Sequence, residues 1–394
     1  MKENFLIVYF YDDYFDVLGF KADFQNRKLE ISLNKKGLIL NQGNLKKIFT
    51  RAFYPSSYKI IFVFDSKRGF GSFESVAINR DNPEKSLSPV EFENLISQAV
   101  WKVFDSGRHE AAKRFNVGDL EILLGDIKVI DFKIDGREAV DSIRHSGKKV
   151  EIYLSQTFVS RRFFQDLLSL APKRVELSWA IDGGAAVGYL LSRIFNKNKF
   201  FFVKVAFRET FLFSVENAGE ENRISLFDYI SWGSDDFYSR LSEKLGVSKE
   251  TGRLVVEKFL SNNSSEPFNR RFGKDFPQEL TTLIKGIKNA ALNLGVSDAY
   301  LDFPPFSSDM DLKFSKIFPK IIKPINTDEL VRFFGFNFGK KKFFKKETGN
   351  NIVDFVVLSA FFSYNLVFKE KAESSVLITA NRLAKRRMRW LAAI

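Results

Sequence analysis

Residues Glu176–Leu191 read ELSWAIDGGAAVGYLL, and this segment lies where the pattern changes from a strand to a helix. Its pattern predicts a short strand, Arg174–Leu177, followed by a helix that contains alanine and glycine, Asp182–Phe195. Strands and helices alternate on both sides of this segment. The sequence therefore predicts an α/β or α+β chain that is divided into several subdomains.

The residues before this segment begin with strands and then alternate. Apolar and β-branched patterns predict the strands Asn4–Tyr11, Tyr14–Asp23, Lys28–Leu40 and Tyr58–Asp65, with a helix at Asn44–Phe53. A second helix, Pro89–Asp105, is predicted to begin with a capping box formed by Ser88 and Glu91. Further strands are predicted at Asp119–Leu124, Ile127–Ile134 and Lys149–Thr157. After them, helices are predicted at Arg161–Leu170, Asp235–Leu245, Lys249–Leu260, Pro277–Leu294 and Ile352–Phe368.

The composition excludes several kinds of site. The 394 residues include no cysteine and only two histidines, His109 and His145. Disulfides, thiolate metal sites and cysteine nucleophiles are therefore absent, and we expect neither a histidine-rich metal site nor a Ser-His-Asp triad. The longest apolar segment, Ile352–Phe368, contains Asp354 and Asn365. It is short for a bilayer span, which favours a helix of the protein core.

The positive charge is concentrated in two segments. Of the net charge of +13, Lys340–Lys346 supplies five lysines, and Val376–Ile394 supplies five basic residues without an acid, which leaves +3 for the rest. A nearly balanced body with two basic segments indicates local anionic contacts, so we expect no nucleic-acid partner. Lys340–Lys346 is interpreted as a solvated loop, with a second membrane contact as the alternative.

Three segments resemble the bacterial cell-division protein FtsA, a member of the actin superfamily. They are Ile127–Gly136 with Arg144–Val159, then Glu176–Leu191, and then Ser231–Leu245 with Val247–Lys258. They resemble, in order, the end of an inserted subdomain, the strand and helix leading to the second domain, and a glycine turn before two helices. The order and spacing agree over residues 1–370. PilM, a partner-binding protein of pilus assembly, has the same fold and insertion.

The resemblance implies an actin-like (ribonuclease H-like) fold of two domains with an insertion. The first domain would comprise residues 1–57, 149–198 and 325–368, with the inserted subdomain at 58–148. The second would have its core at 199–234 and 295–324 and a small subdomain at 235–294. A linker, 369–375, would lead to an amphipathic helix at 376–394.

The nucleotide site that the resemblance implies has lost its glycines. Only glycine lets backbone N–H groups approach phosphate oxygens closely. The first phosphate turn lies in Val8–Phe15, which contains no glycine, and the family's Asp-x-Gly-Gly-Gly-Thr pattern aligns with Lys204–Glu209, sequence KVAFRE. The segment Gly295–Asp302 replaces the family's adenine-side double glycine. The equivalents of the site residues are Asp12, Asp13, Lys204 and Arg208.

From these losses we expect neither catalysis nor a cofactor, because Phe207 and Arg208 would fill the space of the phosphates. Nucleotide binding would be weak at most. The alternative is an actin-superfamily ATPase with an atypical site, in which Lys204 and Arg208 bind the phosphates of ATP–magnesium by charge.

The C-terminal segment Val376–Ile394 has the pattern of an interfacial helix. At 100° per residue, apolar side chains that include Trp390 and Leu391 fall on one side and basic side chains on the other. The residues predicted to contact a membrane are Arg382, Lys385, Arg386, Arg387, Met388, Arg389, Trp390 and Leu391. A solvated helix or a partner-docking helix remains the alternative.

These features, together with the resemblance, predict a non-catalytic tether at the cytoplasmic face of the cell membrane. Its partners would be an FtsZ-like filament or other proteins of the divisome, and an anionic membrane surface, with self-association adding avidity. By the same resemblance, the filament would bind at Asp235–Leu294. The alternative is a PilM-like scaffold of pilus or secretion assembly that binds an inner-membrane partner and does not depend on the C-terminal helix.

Overall fold

The computed structural model describes most of the chain, and its residues form two compact units. The first unit takes its residues from 1–194, 216–225 and 356–394, and the second from 195–215 and 226–355. The described residues are 2–11, 13–52, 58–139, 145–170, 177–195, 197–218, 221–260, 265–303, 317–325, 327–338, 355–368 and 374–392.

Apolar side chains on both faces of the N-terminal strands indicate a sheet covered on both sides, and the first unit contains such a sheet. Its strand order is β3-β2-β1-β4-β9. The first three strands are antiparallel, whereas β4 is parallel to β1 and β9 is parallel to β4. The strands are β1 Lys2–Phe10, β2 Tyr14–Asp23, β3 Lys28–Ile39, β4 Tyr58–Phe64 and β9 Leu177–Asp182.

A second sheet of the first unit has the order β5-β8-β6-β7, and its neighbouring strands are antiparallel. Arg223 and Ile224, from the part of β12 that belongs to this unit, pair with the outer edge of β5. The strands are β5 Gly69–Asn79, β6 Ile122–Ile134, β7 Arg137–Glu138, β8 Lys149–Ser160 and β12 Glu221–Ile230.

Six helices complete the described part of the first unit. They are α1 Gln42–Ala52, α2 Pro89–Phe115, α3 Arg161–Leu170, α4 Gly183–Phe195, α10 Phe355–Phe368 and α11 Ser375–Ala392, with a short 3-10 turn at Asp119–Glu121. The apolar α10 packs on the first sheet, where the Phe361 ring lies 5.0 Å from that of Phe5. The Ser363 hydroxyl donates to the carbonyl of Ala186 at 2.9 Å. The prediction of a core helix here is consistent with this packing. No helix among the described residues is long and apolar enough to cross a membrane.

The second unit repeats the strand order of the first sheet. Its order is β12-β11-β10-β13-β14, with β13 parallel to both β10 and β14. Four helices, α5 to α8, share one apolar core with this sheet. The elements are β10 Lys199–Val205, β11 Thr210–Ala218, β13 Ala299–Asp302, β14 Ile322–Pro324, β15 Asn337–Phe338, α5 Ser234–Leu245, α6 Lys249–Leu260, α7 Glu266–Glu279, α8 Thr281–Leu294 and α9 Thr327–Phe333.

The structure moves the boundaries of the predicted insertion. Residues 58–148 were assigned to it, but β4 belongs to the first sheet, between β1 and β9. Conversely, β8 was assigned to the first domain's core and instead pairs with β5 and β6. The chain therefore leaves the first sheet after Phe64 and returns to it at Leu177. The predicted strand Arg174–Leu177 lies largely outside the described residues, and the strand that precedes α4 is Leu177–Asp182.

The outer edge of β6 is protected by polar side chains. Asp126 and Asp131 accept the N–H groups of the residues that follow them, at 2.9 and 3.0 Å. Asn381 of α11 accepts the N–H of Val129 at 2.9 Å and donates to its carbonyl at 2.8 Å. An uncovered edge strand exposes unpaired backbone groups that favour aggregation. Asn381 therefore completes the hydrogen bonds of β6 at this point.

Replacing Asn381 by leucine should lower the free energy of unfolding by about 2–4 kcal/mol, because Val129 would keep two buried polar groups without partners. Urea denaturation at neutral pH measures this change. The matched control is Arg382→Leu, the next residue, whose side chain is exposed; it should change stability by less than about 0.5 kcal/mol. Equal, small effects of both substitutions would contradict the described contact.

Candidate functional site

The first predicted phosphate turn is the hairpin between β1 and β2. The Tyr11 N–H donates to the carbonyl of Tyr14 at 2.8 Å, which closes the turn. Arg68 lies beside it: its Nε donates to the Tyr11 carbonyl at 3.2 Å, and its guanidinium is 3.7 Å from the carboxylate of the exposed Asp13. Asp12 lies outside the described residues. This turn thus contacts an arginine side chain through a carbonyl and a carboxylate.

Two buried carboxylates follow the parallel strands at the same edge of the first sheet. Asp65 comes directly after β4, and Asp182 is the last residue of β9. Asp182 is fully buried and begins α4: its Oδ1 accepts the N–H groups of Gly184 at 2.7 Å and Ala185 at 3.2 Å. Carboxyl ends of parallel strands are the usual ligand edge of an α/β sheet. Sequence reasoning did not single out these two aspartates, although the Asp-Gly-Gly segment at the start of a predicted helix was a usable signal.

Asp182 is also in contact with the second sheet of its unit. Its Oδ2 accepts the N–H of Gly71 in β5 at 3.3 Å. A Cβ at residue 71 would lie 2.6 Å from the Cβ of Asp182, so only glycine fits there. Both carboxylate oxygens of Asp182 are therefore engaged by backbone N–H groups. These contacts fix the end of β9 against β5. Asp182 belongs to no metal site, because no group of three His, Asp or Glu in the described part of the chain could hold a metal ion.

Burial controls the protonation of Asp182. It raises the pKa of this carboxyl from its ordinary 3.8 to about 7, and the nearby charge of Asp65 also raises it. The hydrogen bonds from Ala185 and Gly184 and the charge of Arg114 act in the opposite direction. Burial likewise raises the pKa of Asp126, which accepts the N–H of Ala180 in β9 at 3.0 Å. The protein thus contains carboxyl groups that keep a proton more readily when folded than when unfolded.

The elevated pKa of Asp182 predicts a pH-dependent loss of stability. Between about pH 4 and pH 7 the folded state keeps a proton that the unfolded state releases, so stability falls as pH rises, by up to about 4 kcal/mol from this group. Asp182→Asn mimics the protonated carboxyl and should remove the part of the pH-dependent loss of stability that comes from this group. The measurement is urea denaturation of both proteins at pH 5 and pH 8. Parallel losses in wild type and variant would contradict the prediction.

The second predicted phosphate turn is the hairpin between β10 and β11 in the second unit. The Ala206 N–H donates to the carbonyl of Glu209 at 2.9 Å. The carbonyls of Ala206 and Phe207 accept the N–H groups of Ser234 and Asp235, the first residues of α5, at 2.9 and 2.8 Å. The turn is therefore fixed to the start of α5 by two backbone hydrogen bonds.

Gly233 shows how closely this turn approaches α5. A Cβ at residue 233 would lie 2.4 Å from the Phe207 carbonyl oxygen and 2.5 Å from the carbonyl carbon of Arg208. The Thr210 hydroxyl adds a hydrogen bond of 2.8 Å to the carbonyl of Trp232. The backbone of the turn is thus packed against the backbone before α5.

The side chains of the second turn differ in their exposure. Phe207 and Arg208, which were predicted to fill the space of the phosphates, are both exposed, Phe207 to 60%. The ammonium of Lys249, which forms an ion pair with Asp235, lies 5.5 Å from the centre of the Phe207 ring. Lys204 is buried beside Asp302 in the strand register, so it is not an exposed phosphate-binding cation. In Gly295–Asp302, the segment that replaces the family's adenine-side double glycine, Gly295 has a left-handed backbone conformation with φ 62° and ends α8.

The C-terminal helix α11 is packed on the first unit. The side chains of Leu377, Ala380, Ala384 and Leu391 are buried. They lie on the side of the helix that contacts β6 and α2, and the Arg386 guanidinium forms an ion pair with Glu93 of α2. Most of the apolar side that was predicted to enter a membrane is therefore covered by the protein itself.

The predicted membrane-contacting residues differ in their exposure. Arg382, Arg386 and Arg389 are exposed, whereas Lys385, Arg387 and Met388 are half-buried. Trp390 is 53% exposed, and its ring lies 4.2 Å from the guanidinium carbon of Arg387. Among the described residues of the helix, the exposed arginines, Ile378 and Trp390 remain available to an external surface. Lys340–Lys346 lies outside the described residues.

Known proteins resemble this chain in structure alone. No family model and no curated protein sequence matches it. Among solved structures, the PilM–PilN type IV pilus biogenesis complex matches with a TM-score of 0.49 and 11% identity over 91% of this chain and 98% of that one. A Bacteroides thetaiotaomicron protein with an actin-like ATPase fold and unknown function matches at 0.31, with 12% identity over 62% of this chain and 78% of that one.

A third match is the ethanolamine utilization protein EutJ from Carboxydothermus hydrogenoformans, with a TM-score of 0.34 and 8% identity over 82% of this chain and 84% of that one. The strand order of the first sheet recurs in the second unit. Both units combine strands and helices in this way. This confirms the predicted α/β class, whereas the finer assignment to the FtsA family has no support beyond the sequence resemblance.

Proposed function

We propose that this actin-like chain is a non-catalytic scaffold that acts by binding another protein. The observation that carries the proposal is the second phosphate turn, whose carbonyls are bonded to the N–H groups of Ser234 and Asp235. A phosphate-binding turn needs free N–H groups directed at the ligand. Here the chain lacks the glycines for this geometry, and the buried Lys204 does not replace them.

Of the two scaffolds that the sequence allows, the PilM-like one fits the packing of α11 better. An FtsA-like tether needs a helix whose apolar side is free to enter the membrane interface. In this chain Leu377, Ala380 and Leu391 are buried against β6 and α2. Release of the helix would expose these side chains and the backbone groups of Val129. A pilus- or secretion-type scaffold that binds an inner-membrane partner has no such requirement.

The membrane tether remains a second candidate because of the exposed basic side of α11. Arg382, Arg389 and Trp390 face away from the buried side of the helix. Exposed arginines beside an anionic leaflet contribute about 1 kcal/mol each. Co-sedimentation with anionic vesicles distinguishes the two candidates, with the full chain compared against Arg382→Gln/Arg389→Gln, which leaves the packed residues in place. Salt-sensitive pelleting that this double variant loses would favour the tether, and we expect none.

A nucleotide-binding measurement tests the proposal directly. We expect ATP with magnesium to leave the melting temperature unchanged and to yield no phosphate, because both turns lack the glycines of a phosphate turn and the second is packed against the start of α5. A ligand at 100 times its Kd would stabilise the fold by about 2.7 kcal/mol, which is readily measured. Thermal stabilisation or hydrolysis that disappears in Arg208→Gln would contradict the proposal and favour an ATPase with an atypical phosphate site.

A further inference from the structure

A small groove on the first unit combines an apolar floor with an arginine rim. It encloses about 50 Å³. Its floor is formed by buried side chains, among them Phe104 of α2, Ile122 and Leu124 of β6, and Leu391 of α11. The C-terminal helix thus supplies one wall of the groove, and the groove depends on its packing.

Large apolar side chains are exposed around this groove. Trp101 is 46% exposed and Leu120 is 72% exposed, and both line the groove. Trp390 stands beside them, because the Arg387 guanidinium carbon lies 5.9 Å from the Trp101 ring and 4.2 Å from the Trp390 ring. Tryptophan and arginine are the residue types most enriched in the energetic centres of protein interfaces.

Three arginines of this region have no acidic partner. Within the described part of the chain, no carboxylate lies within ion-pair distance of Arg108, Arg161 or Arg387. The Nε atoms of Arg108 and Arg387 are, in addition, buried without a hydrogen-bond acceptor. Among the described residues, Asp119 is the one acid that lines the groove, and its carboxylate is 3.8 Å from the Nδ1 of His109. A carboxylate supplied from outside can form charge-assisted hydrogen bonds with the accessible nitrogens of these guanidinium groups, which would be stabilising.

The shape of the groove favours a peptide over a membrane surface. Membrane contacts use projecting apolar side chains with cations that extend into the headgroup region. Here the floor is concave, and the guanidinium groups of Arg108 and Arg387 lie over the rings of Phe104 and Trp390, at 5.0 and 4.2 Å. A stacked arginine presents a fixed hydrogen-bonding edge that matches a carboxylate.

We propose that this groove, bounded by Trp101, Arg108, Leu120, Arg161 and Leu391, binds an acidic segment of a partner protein. Carboxylates of the segment pair with the arginines, and one apolar side chain beside them enters the groove. The inference rests on the proposed scaffold function, because it names the chemistry of the partner that the scaffold would bind.

Selection from a displayed library of random 12-residue peptides, with the immobilised full chain as target, tests this inference. We expect the enriched peptides to carry acidic residues next to an aliphatic or aromatic one. They should bind Arg108→Gln/Arg387→Gln at least about tenfold more weakly. Arg271→Gln/Lys288→Gln, which removes the same charge from exposed positions of the second unit, should bind as wild type does. Leu120→Ser, at an exposed rim position, should also weaken binding without affecting the fold.

Three outcomes of the selection would overturn the inference, and so would one result with vesicles. The library could yield no peptide, or peptides without acidic residues, or peptides that bind the arginine variant as tightly as wild type. Anionic vesicles that bind wild type but not Arg108→Gln/Arg387→Gln would assign the region to a lipid surface instead. None of these results would contradict the proposed scaffold function, which the nucleotide-binding measurement tests separately. ATP hydrolysis would refute the scaffold function whatever the peptide selection yields.

Discussion

The contact between Asn381 and the backbone of Val129 is the interaction on which the first unit most depends. Two hydrogen bonds, at 2.9 and 2.8 Å, join the C-terminal helix to the edge of a strand 252 positions earlier in the chain. The same strand is tied to the first sheet by Asp126, which accepts the Ala180 N–H at 3.0 Å. Edge strands need such cover, and here the cover comes from the last described helix. The C-terminal helix is therefore an integral part of the first unit.

This packing explains why an amphipathic sequence pattern has two physical meanings. A helix with one apolar and one basic side can lie in a membrane interface or on a protein surface, and its periodicity is the same in both cases. The position of Asn381 on the packed side distinguishes a protein-bound helix from a membrane-bound one, because a polar amide there needs a partner with both a donor and an acceptor. Strand β6 supplies both. The basic side remains exposed, so the charge of the helix stays available at the surface.

The sequence predicted the fold class and most of the strands of the first sheet, because apolar runs of strand length bounded by turns are strong signals. It missed β5, whose Gly69, Gly71 and Ser72 give a weak strand pattern. Gly71 is required by the approach of Asp182, so a close tertiary contact weakened the local signal. The capping of α2 was predicted correctly in part: Ser88 accepts the Glu91 N–H at 3.1 Å, but the Glu91 carboxylate pairs with Arg80 at 2.7 Å.

The candidate sites were less predictable than the fold, for two physical reasons. The loss of glycine in both phosphate turns could be read directly from the residues, yet the element that packs against the second turn, the start of α5, lies 25 or more residues later. The arginine groove combines residues of α2, β6, α3 and α11, which only the fold brings together. Residue patterns within one element give no information on such a site.

Hydrogen–deuterium exchange of the full chain tests most directly whether the C-terminal helix is part of the fold. Exchange of a packed element requires its opening, whereas a terminal appendage exchanges almost freely. We expect the amides of Val376–Leu391 to be protected nearly as strongly as those of β6, and Asn381→Leu to lower the protection of both elements together. Rapid exchange of Val376–Leu391 while β6 stays protected would show an unattached helix and would contradict the account.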